Sequence, residues 1–285
     1  MSFTHRILEV GGFRTHYLDA GDGPPLVLLH GGEYGAAAEL TWEHCIDDLA
    51  AHFRVIAPDF YGYGASDKVR DFRGQRRRLM TQVRVLLESL GIGSARFVGT
   101  SLSGRLLLTA AASAPMAWPV EAMAVVGIGM DPPGGPGHDL LTRYDGSLDG
   151  LRPIMSVLFA DPAFRDDEAY LRRRHEFCVL PGAWEFGAAA GLRLPRPGGD
   201  EATPHRTGRR APSYDRVRVP SLFLLGSEDR LVPRESWERL VCTVPGARSR
   251  VIEGAGHYPQ IERAKEFTDV LLDFLLDDEG DRIDA

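Results

Sequence analysis

The segment Phe97-Val98-Gly99-Thr100-Ser101-Leu102-Ser103-Gly104 decides how this chain is read. An apolar run over residues 95–99 stops at Gly99, and helical spacing begins at Leu102 and continues to residue 112. A strand that becomes a helix within so few residues pushes the side chain at the turn out beyond the sheet edge, so its neighbours must be small. Gly99, Ser103 and Gly104 meet that demand. Ser101 is therefore a candidate nucleophile. The backbone N–H of Leu102, at the positive end of the helix dipole, is a candidate donor to the oxygen of an attacked carbonyl. A simpler reading, in which Ser101 only caps a helix, has to be weighed against the rest of the chain.

Working outward, the same alternation recurs. Residues 3–10 and 14–19 read as a hairpin around Gly11-Gly12. Short apolar strands follow at 26–29, 54–58 and 122–128, and later at 221–225 and 248–252. Between them lie helical segments at 42–51, 78–90 and 102–112, and a closing helix at 262–276. This pattern predicts an α/β fold, a mainly parallel eight-stranded sheet with helices on both faces. The alternation fails from about Asp131 to Val217. A structureless loop of that length inside a compact domain is implausible. Helical pieces at 154–159, 168–177 and 184–190 make it an inserted helical cap. The expected division is a core of residues 1–131 and 216–285 and a cap of residues 132–215. The Pro-, Gly- and Arg-rich part at 195–212 is expected to be mobile.

Four further segments stand where Ser101 needs them. His30-Gly31-Gly32 follows a strand. Asp59-Phe60-Tyr61-Gly62-Tyr63-Gly64-Ala65-Ser66-Asp67 forms a glycine-rich turn. Leu224-Leu225-Gly226-Ser227-Glu228-Asp229-Arg230-Leu231-Val232-Pro233 leaves another strand, and Gly254-Ala255-Gly256-His257-Tyr258-Pro259 precedes the last helix. Together with the serine turn they resemble the α/β-hydrolase superfamily, whose nucleophile elbow is G-x-S-x-G and whose triad runs Ser, Asp, His along the chain. Ser103 stands where that pattern has its last glycine. The resemblance implies an α/β-hydrolase fold with Ser101 as nucleophile, His257 as base and Asp229 as the acid that orients it. The N–H groups of Gly32 and Leu102 would form the oxyanion hole, at about 3–4 kcal/mol per donor. Asp59 and Ser66 take structural roles in this reading, and Glu228 is the rival acid. His5, His52, His138 and His205 fall in no such context.

A narrower resemblance lies in the cap. In Leu171-Arg172-Arg173-Arg174-His175-Glu176-Phe177-Cys178-Val179-Leu180-Pro181-Gly182-Ala183-Trp184-Glu185, the spacing of Arg174, Pro181, Gly182 and Glu185 is similar to that of meta-cleavage-product hydrolases. Those enzymes split a C–C bond in 2-hydroxy-6-oxo-dienoates made by aromatic ring fission. The resemblance implies that Arg174 grips a substrate carboxylate with two parallel hydrogen bonds. A basic run on a helix is otherwise a solvated face. Two departures stand out. Thr100 and Thr41 occupy positions where the family commonly has asparagine, and Glu33-Tyr34-Gly35 replaces its G-P-G. Threonine keeps one donor but lacks the two-sided reach of an amide, so the substrate contacts at Thr41 and Thr100 are expected to differ.

Composition bounds the alternatives. The chain has 285 residues, 44% of them hydrophobic, and a formal net charge of −7. That charge argues against a nucleic-acid partner. No apolar run approaches the roughly 20 residues that span a bilayer, and residues 1–10 contain no signal-like stretch. Cys45, Cys178 and Cys242 are too sparse for a disulfide framework and read as buried, reduced thiols. A cytoplasmic enzyme with a small-molecule substrate follows, with no metal and no cofactor, and a homodimer is a possible state. An esterase or lactonase, or a biosynthetic tailoring hydrolase, would use the same triad. A non-catalytic binder on the same fold is the alternative of a different class.

Overall fold

The computed structural model describes residues 3–192 and 213–277. The first hairpin pairs β1 (Thr4–Val10) with β2 (Phe13–Ala20), antiparallel, with Val10 opposite Phe13. Its two-residue turn has positive φ at both Gly11 (57°) and Gly12 (82°), which glycine adopts without strain. Then come β3 (Pro25–Leu29), α1 (Ala38–Trp42), α2 (Ile46–Ala50), β4 (Arg54–Pro58), α3 (Gln75–Ser89), β5 (Ala95–Thr100), α4 (Leu102–Ala111) and β6 (Val120–Val126). Between β6 and the next strand lie α5 (Pro136–Thr142), α6 (Arg152–Leu158), α7 (Pro162–Arg165), α8 (Glu168–Cys178) and α9 (Ala183–Ala188). The chain closes with β7 (Ser221–Gly226), α10 (Arg234–Thr243), β8 (Arg248–Ile252), α11 (Pro259–Glu262) and α12 (Ala264–Asp277).

The eight strands form one sheet in the order β1-β2-β4-β3-β5-β6-β7-β8. The β1–β2 and β2–β4 pairs are antiparallel and the rest parallel. Side chains alternate between the faces, as a pleated strand requires. Leu26, Leu28, Val98 and Leu224 join one core with α2 and α12, while Val27, Leu29, Phe97 and Phe223 join the other with α3 and α4. Both faces are buried, so the central strands are mostly apolar, with Arg96 on β5 and Glu121 on β6 among the exceptions.

Several boundaries differ from the sequence reading. The segment expected as one helix over 42–51 is two short ones, α1 and α2. The closing helix is broken at Arg263 (φ −135°, ψ 48°), because Glu262 and Arg263 turn their side chains onto the backbone and carboxylate of residues 160–161. Strand β6 begins two residues earlier than expected and stops before Gly127, whose φ is 61°. Residues 136–142, outside the helical pieces expected in the cap, form α5 with Pro136 in its first turn. Cys45 and Cys178 are buried, but Cys242 is exposed, contrary to the expectation for all three. The segment 195–212, expected to be mobile, lies outside the described residues. Among the described residues no helix is long and apolar enough to cross a membrane.

Candidate active site

Strand β5 delivers Ser101 to the C-terminal edge of the sheet, beside β3 and β6. Ser101 has φ 53° and ψ −113°, and it is the one non-glycine residue with positive φ among those described. Such strain persists only when the surroundings hold it. The Ser101 N–H donates to Val126 O at 2.9 Å. A Cβ on Gly99 would stand 3.0 Å from Gly104 N, which is why strand and helix can approach so closely there. Ser103 fits in place of the motif's last glycine because its hydroxyl is used. It accepts from Thr100 N–H at 2.8 Å and lies 2.8 Å from Leu29 O and 2.9 Å from Thr100 O.

The turn after β7 places Asp229 against the loop after β8. Asp229 Oδ2 and His257 Nδ1 are 2.8 Å apart, with side chains 1% and 3% exposed. The other oxygen, Oδ1, accepts from Leu231 N–H (2.8 Å) and Val232 N–H (3.1 Å), which fixes the carboxylate plane. His257 is held by its own backbone, N–H to Leu158 O at 2.9 Å. Burial lowers its pKa, but the Asp229 charge and hydrogen bond, with Glu33 and Glu262, outweigh that and raise it. Its Nε2 is buried and has no partner among the described residues, the Ser101 hydroxyl included. Glu228, the rival acid, is exposed.

Ser101 and His257 line one cavity of about 990 Å³, which Gly32 and Leu102 also line. Neither Gly32 N–H nor Leu102 N–H is spent on a hydrogen bond among the described residues. Leu102 packs against Gly32 so closely that a Cβ there would lie 2.6 Å from its Cδ2. Tyr63 donates its hydroxyl to Gly32 O at 2.8 Å and steadies the loop. His30 is fully buried. Its Nδ1 bonds Gly31 O (2.7 Å) and its Nε2 accepts from Phe60 N–H (2.9 Å), so it is a neutral strut, and burial lowers its pKa.

The three substrate contacts expected from sequence are not on this cavity's wall. Thr41 gives its hydroxyl to Ala37 O at 2.8 Å, because a helical threonine can reach the carbonyl four residues back. Thr100 is fully buried and its hydroxyl has no partner among the described residues. Arg174 is 1% exposed and is held by Glu33, with Nη2 at 2.8 Å and Nη1 at 3.3 Å from Oε1. Arg173 likewise turns to Glu39 and Glu43, at 2.7 and 2.6 Å. Of the basic run of α8, Arg172 is exposed, whereas Arg173 and Arg174 are paired with carboxylates, so Arg174 is not a free ligand. These pairs tie the helix to the segment after β3.

The sequence marked Glu33 only as a departure from the family pattern and gave no role to Tyr258, Glu262 or Arg105. Glu33 carries Arg174 on Oε1 and the Tyr258 hydroxyl on Oε2. Arg105 lines the cavity one helical turn beyond Ser101 and donates to Asp131 O at 2.6 Å. The one available signal was the charge pairing of an acid after His30-Gly31-Gly32 with a cap arginine.

The sequence profile of the Alpha/beta hydrolase family matches residues 26–270. The chain belongs to that family. Within this α/β hydrolase's kin, it is 27% identical over 278 residues to a 2-hydroxy-6-oxo-6-(2'-aminophenyl)hexa-2,4-dienoic acid hydrolase of Metapseudomonas resinovorans, covering 96% of this chain and 91% of the relative. It is 31% identical to a 2-hydroxy-6-oxononadienedioate/2-hydroxy-6-oxononatrienedioate hydrolase of Paraburkholderia phymatum, covering 94% and 93%. The structure is similar to that of the 2-hydroxy-6-oxo-6-phenylhexa-2,4-dienoate hydrolase from Rhodococcus sp. strain RHA1, with TM-score 0.81, 25% identity, and 96% and 99% of the two chains covered. The α/β hydrolase is thus similar to meta-cleavage-product hydrolases.

Proposed function

We propose that this α/β hydrolase is a serine hydrolase that cleaves a C–C bond in a vinylogous diketone of the ring-fission type. The observation that carries the reading is the Asp229–His257 pair standing over the same cavity as the strained Ser101 and two unspent N–H groups. His257 takes the proton of Ser101, or of a water, and returns it to the leaving carbon. Asp229 holds the ring in the tautomer with Nε2 free and stabilises the imidazolium. Gly32 and Leu102 receive the oxyanion. The inserted segment acts as the cap, and its residues between Pro132 and Gly191 supply part of the cavity wall. A role in aromatic catabolism is part of this reading, and it is supported by the similarity to a serine hydrolase involved in carbazole degradation.

The Glu33–Arg174 pair favours a second reading, an esterase or lactonase, because it occupies the arginine expected to take the carboxylate of a dienoic acid. One comparison separates the two. Purified protein is given a yellow 2-hydroxy-6-oxo-dienoate, as free acid and as methyl ester, and separately p-nitrophenyl acetate. Rapid bleaching of either dienone with slow acetate turnover supports C–C hydrolysis. Fast acetate turnover with no bleaching sinks it. Ser101→Ala should lower turnover by about a thousandfold or more; near-normal rates would remove the serine from the mechanism.

A further inference from the structure

Glu33 follows the oxyanion residue Gly32 and lines the cavity, whereas its two partners, Arg174 and Tyr258, do not. Arg174 is 1% exposed and Tyr258 is fully buried. The anion on this stretch of wall therefore belongs to the protein, and the cation that balances it sits behind it. Both carboxylate oxygens are occupied, Oε1 by Arg174 and Oε2 by Tyr258. A substrate carboxylate brought to this end would meet a fixed like charge, with the guanidinium already taken. Displacing Glu33 would leave a buried carboxylate unpaired, which is strongly unfavourable.

We propose that Glu33 determines specificity by reserving the end of the cavity beside the oxyanion loop for an uncharged group, so that the substrate presents a ketone, ester or amide there and not a free carboxylate. The proposal rests on the Ser101 reading of the site. It differs from a purely structural staple, which would hold the loop to α8 without discriminating between ligands of different charge.

The test is equilibrium binding to the Ser101→Ala protein, followed by the absorbance of the bound dienone. The ligands are 2-hydroxy-6-oxo-6-phenylhexa-2,4-dienoate and its methyl ester. The ester should bind about tenfold or more tightly than the acid, the size expected for a like charge at close range in a partly buried site. Adding Glu33→Gln should raise affinity for the acid by about tenfold and move the ester little. Tighter binding of the acid to Ser101→Ala, equal affinity for the two ligands, or no measurable binding of either overturns the proposal. So does an unchanged acid-to-ester ratio in a folded Glu33→Gln protein. If Glu33→Gln does not fold, the two-ligand comparison in Ser101→Ala decides alone. Residual turnover of either ligand by Ser101→Ala would count against the serine reading, and that outcome is distinct from the ligand preference.

Discussion

Ser103 departs from the glycine of the nucleophile motif, and its hydroxyl has taken over work that a glycine cannot do. It accepts the Thr100 N–H, a buried donor immediately before Ser101. Ser103→Gly restores the motif but strands that donor, so we expect a loss of about 1–3 kcal/mol in urea unfolding with kcat changed only severalfold. An unaltered midpoint would mean that the bond is idle. His257 offers a second test at this scale. Asp229, Glu33 and Glu262 hold its pKa above the ordinary value against the effect of burial. The base must be neutral to act, so kcat/KM should fall on acidification through a pKa above about 6.5. Removing the Glu33 charge should move that limb to lower pH. A limb that stays in place in Glu33→Gln would show that the carboxylate does not act on the histidine. Ser101 and His257 could be singled out from short runs of small residues after a strand, and Asp229 from the turn that leaves the strand at 221–225. Arg174 was legible as a spacing, but its partner Glu33 is 141 positions away, and only folding brings them together.

At the scale of elements, one carboxylate joins the turn between α6 and α7 to the histidine loop. Glu262, at the end of α11, accepts from Ala160 N–H and Asp161 N–H at 2.7 Å, and from Gly256 N–H at 2.6 Å. Burial raises its pKa, and these three donors oppose that rise. Glu262→Ala leaves all three donors without their acceptor, next to the residue that precedes His257. We expect a loss of about 3 kcal/mol in stability by thermal melting and at least a tenfold drop in kcat with KM less affected. A variant with full activity and an unchanged melt would show that the loop is held by other contacts, such as His257 N–H to Leu158 O. The strands could be read from their apolar runs, because both sheet faces are covered. The break between α11 and α12 could not, since its apolar spacing continues unbroken and the cause is a side chain reaching residues 160–161, about a hundred positions earlier in sequence.

Across the whole molecule, the sheet's antiparallel edge is tied to the catalytic side through Asp59. The strand alternation showed that a parallel sheet would form, but not that β2 would lie beside β4, because strand order depends on long-range contacts. Asp59, just after β4, makes that neighbourhood specific. Oδ1 accepts from Ala38 N–H at 2.7 Å, and Oδ2 meets His16 Nδ1 on β2 at 2.7 Å and Ala65 N–H at 2.8 Å. Burial pushes its pKa up, but the hydrogen bonds from His16 and the Ala38 N–H lower it. A carboxyl whose folded pKa lies below its unfolded value of about 3.9 adds stability above that value and loses it as pH falls through the folded pKa. Asn at this position cannot accept at both oxygens, because one becomes an NH₂ that faces backbone donors or the ring. Asp59→Asn should therefore unfold about 2–4 kcal/mol more easily at pH 7. In denaturant titrations the gap should narrow below about pH 4, since the wild-type protein then loses the same charge. A gap that stays constant down to pH 3 would mean that Asp59 contributes through packing alone, and the tie between β2, α1 and the turn after β4 would not depend on its ionisation.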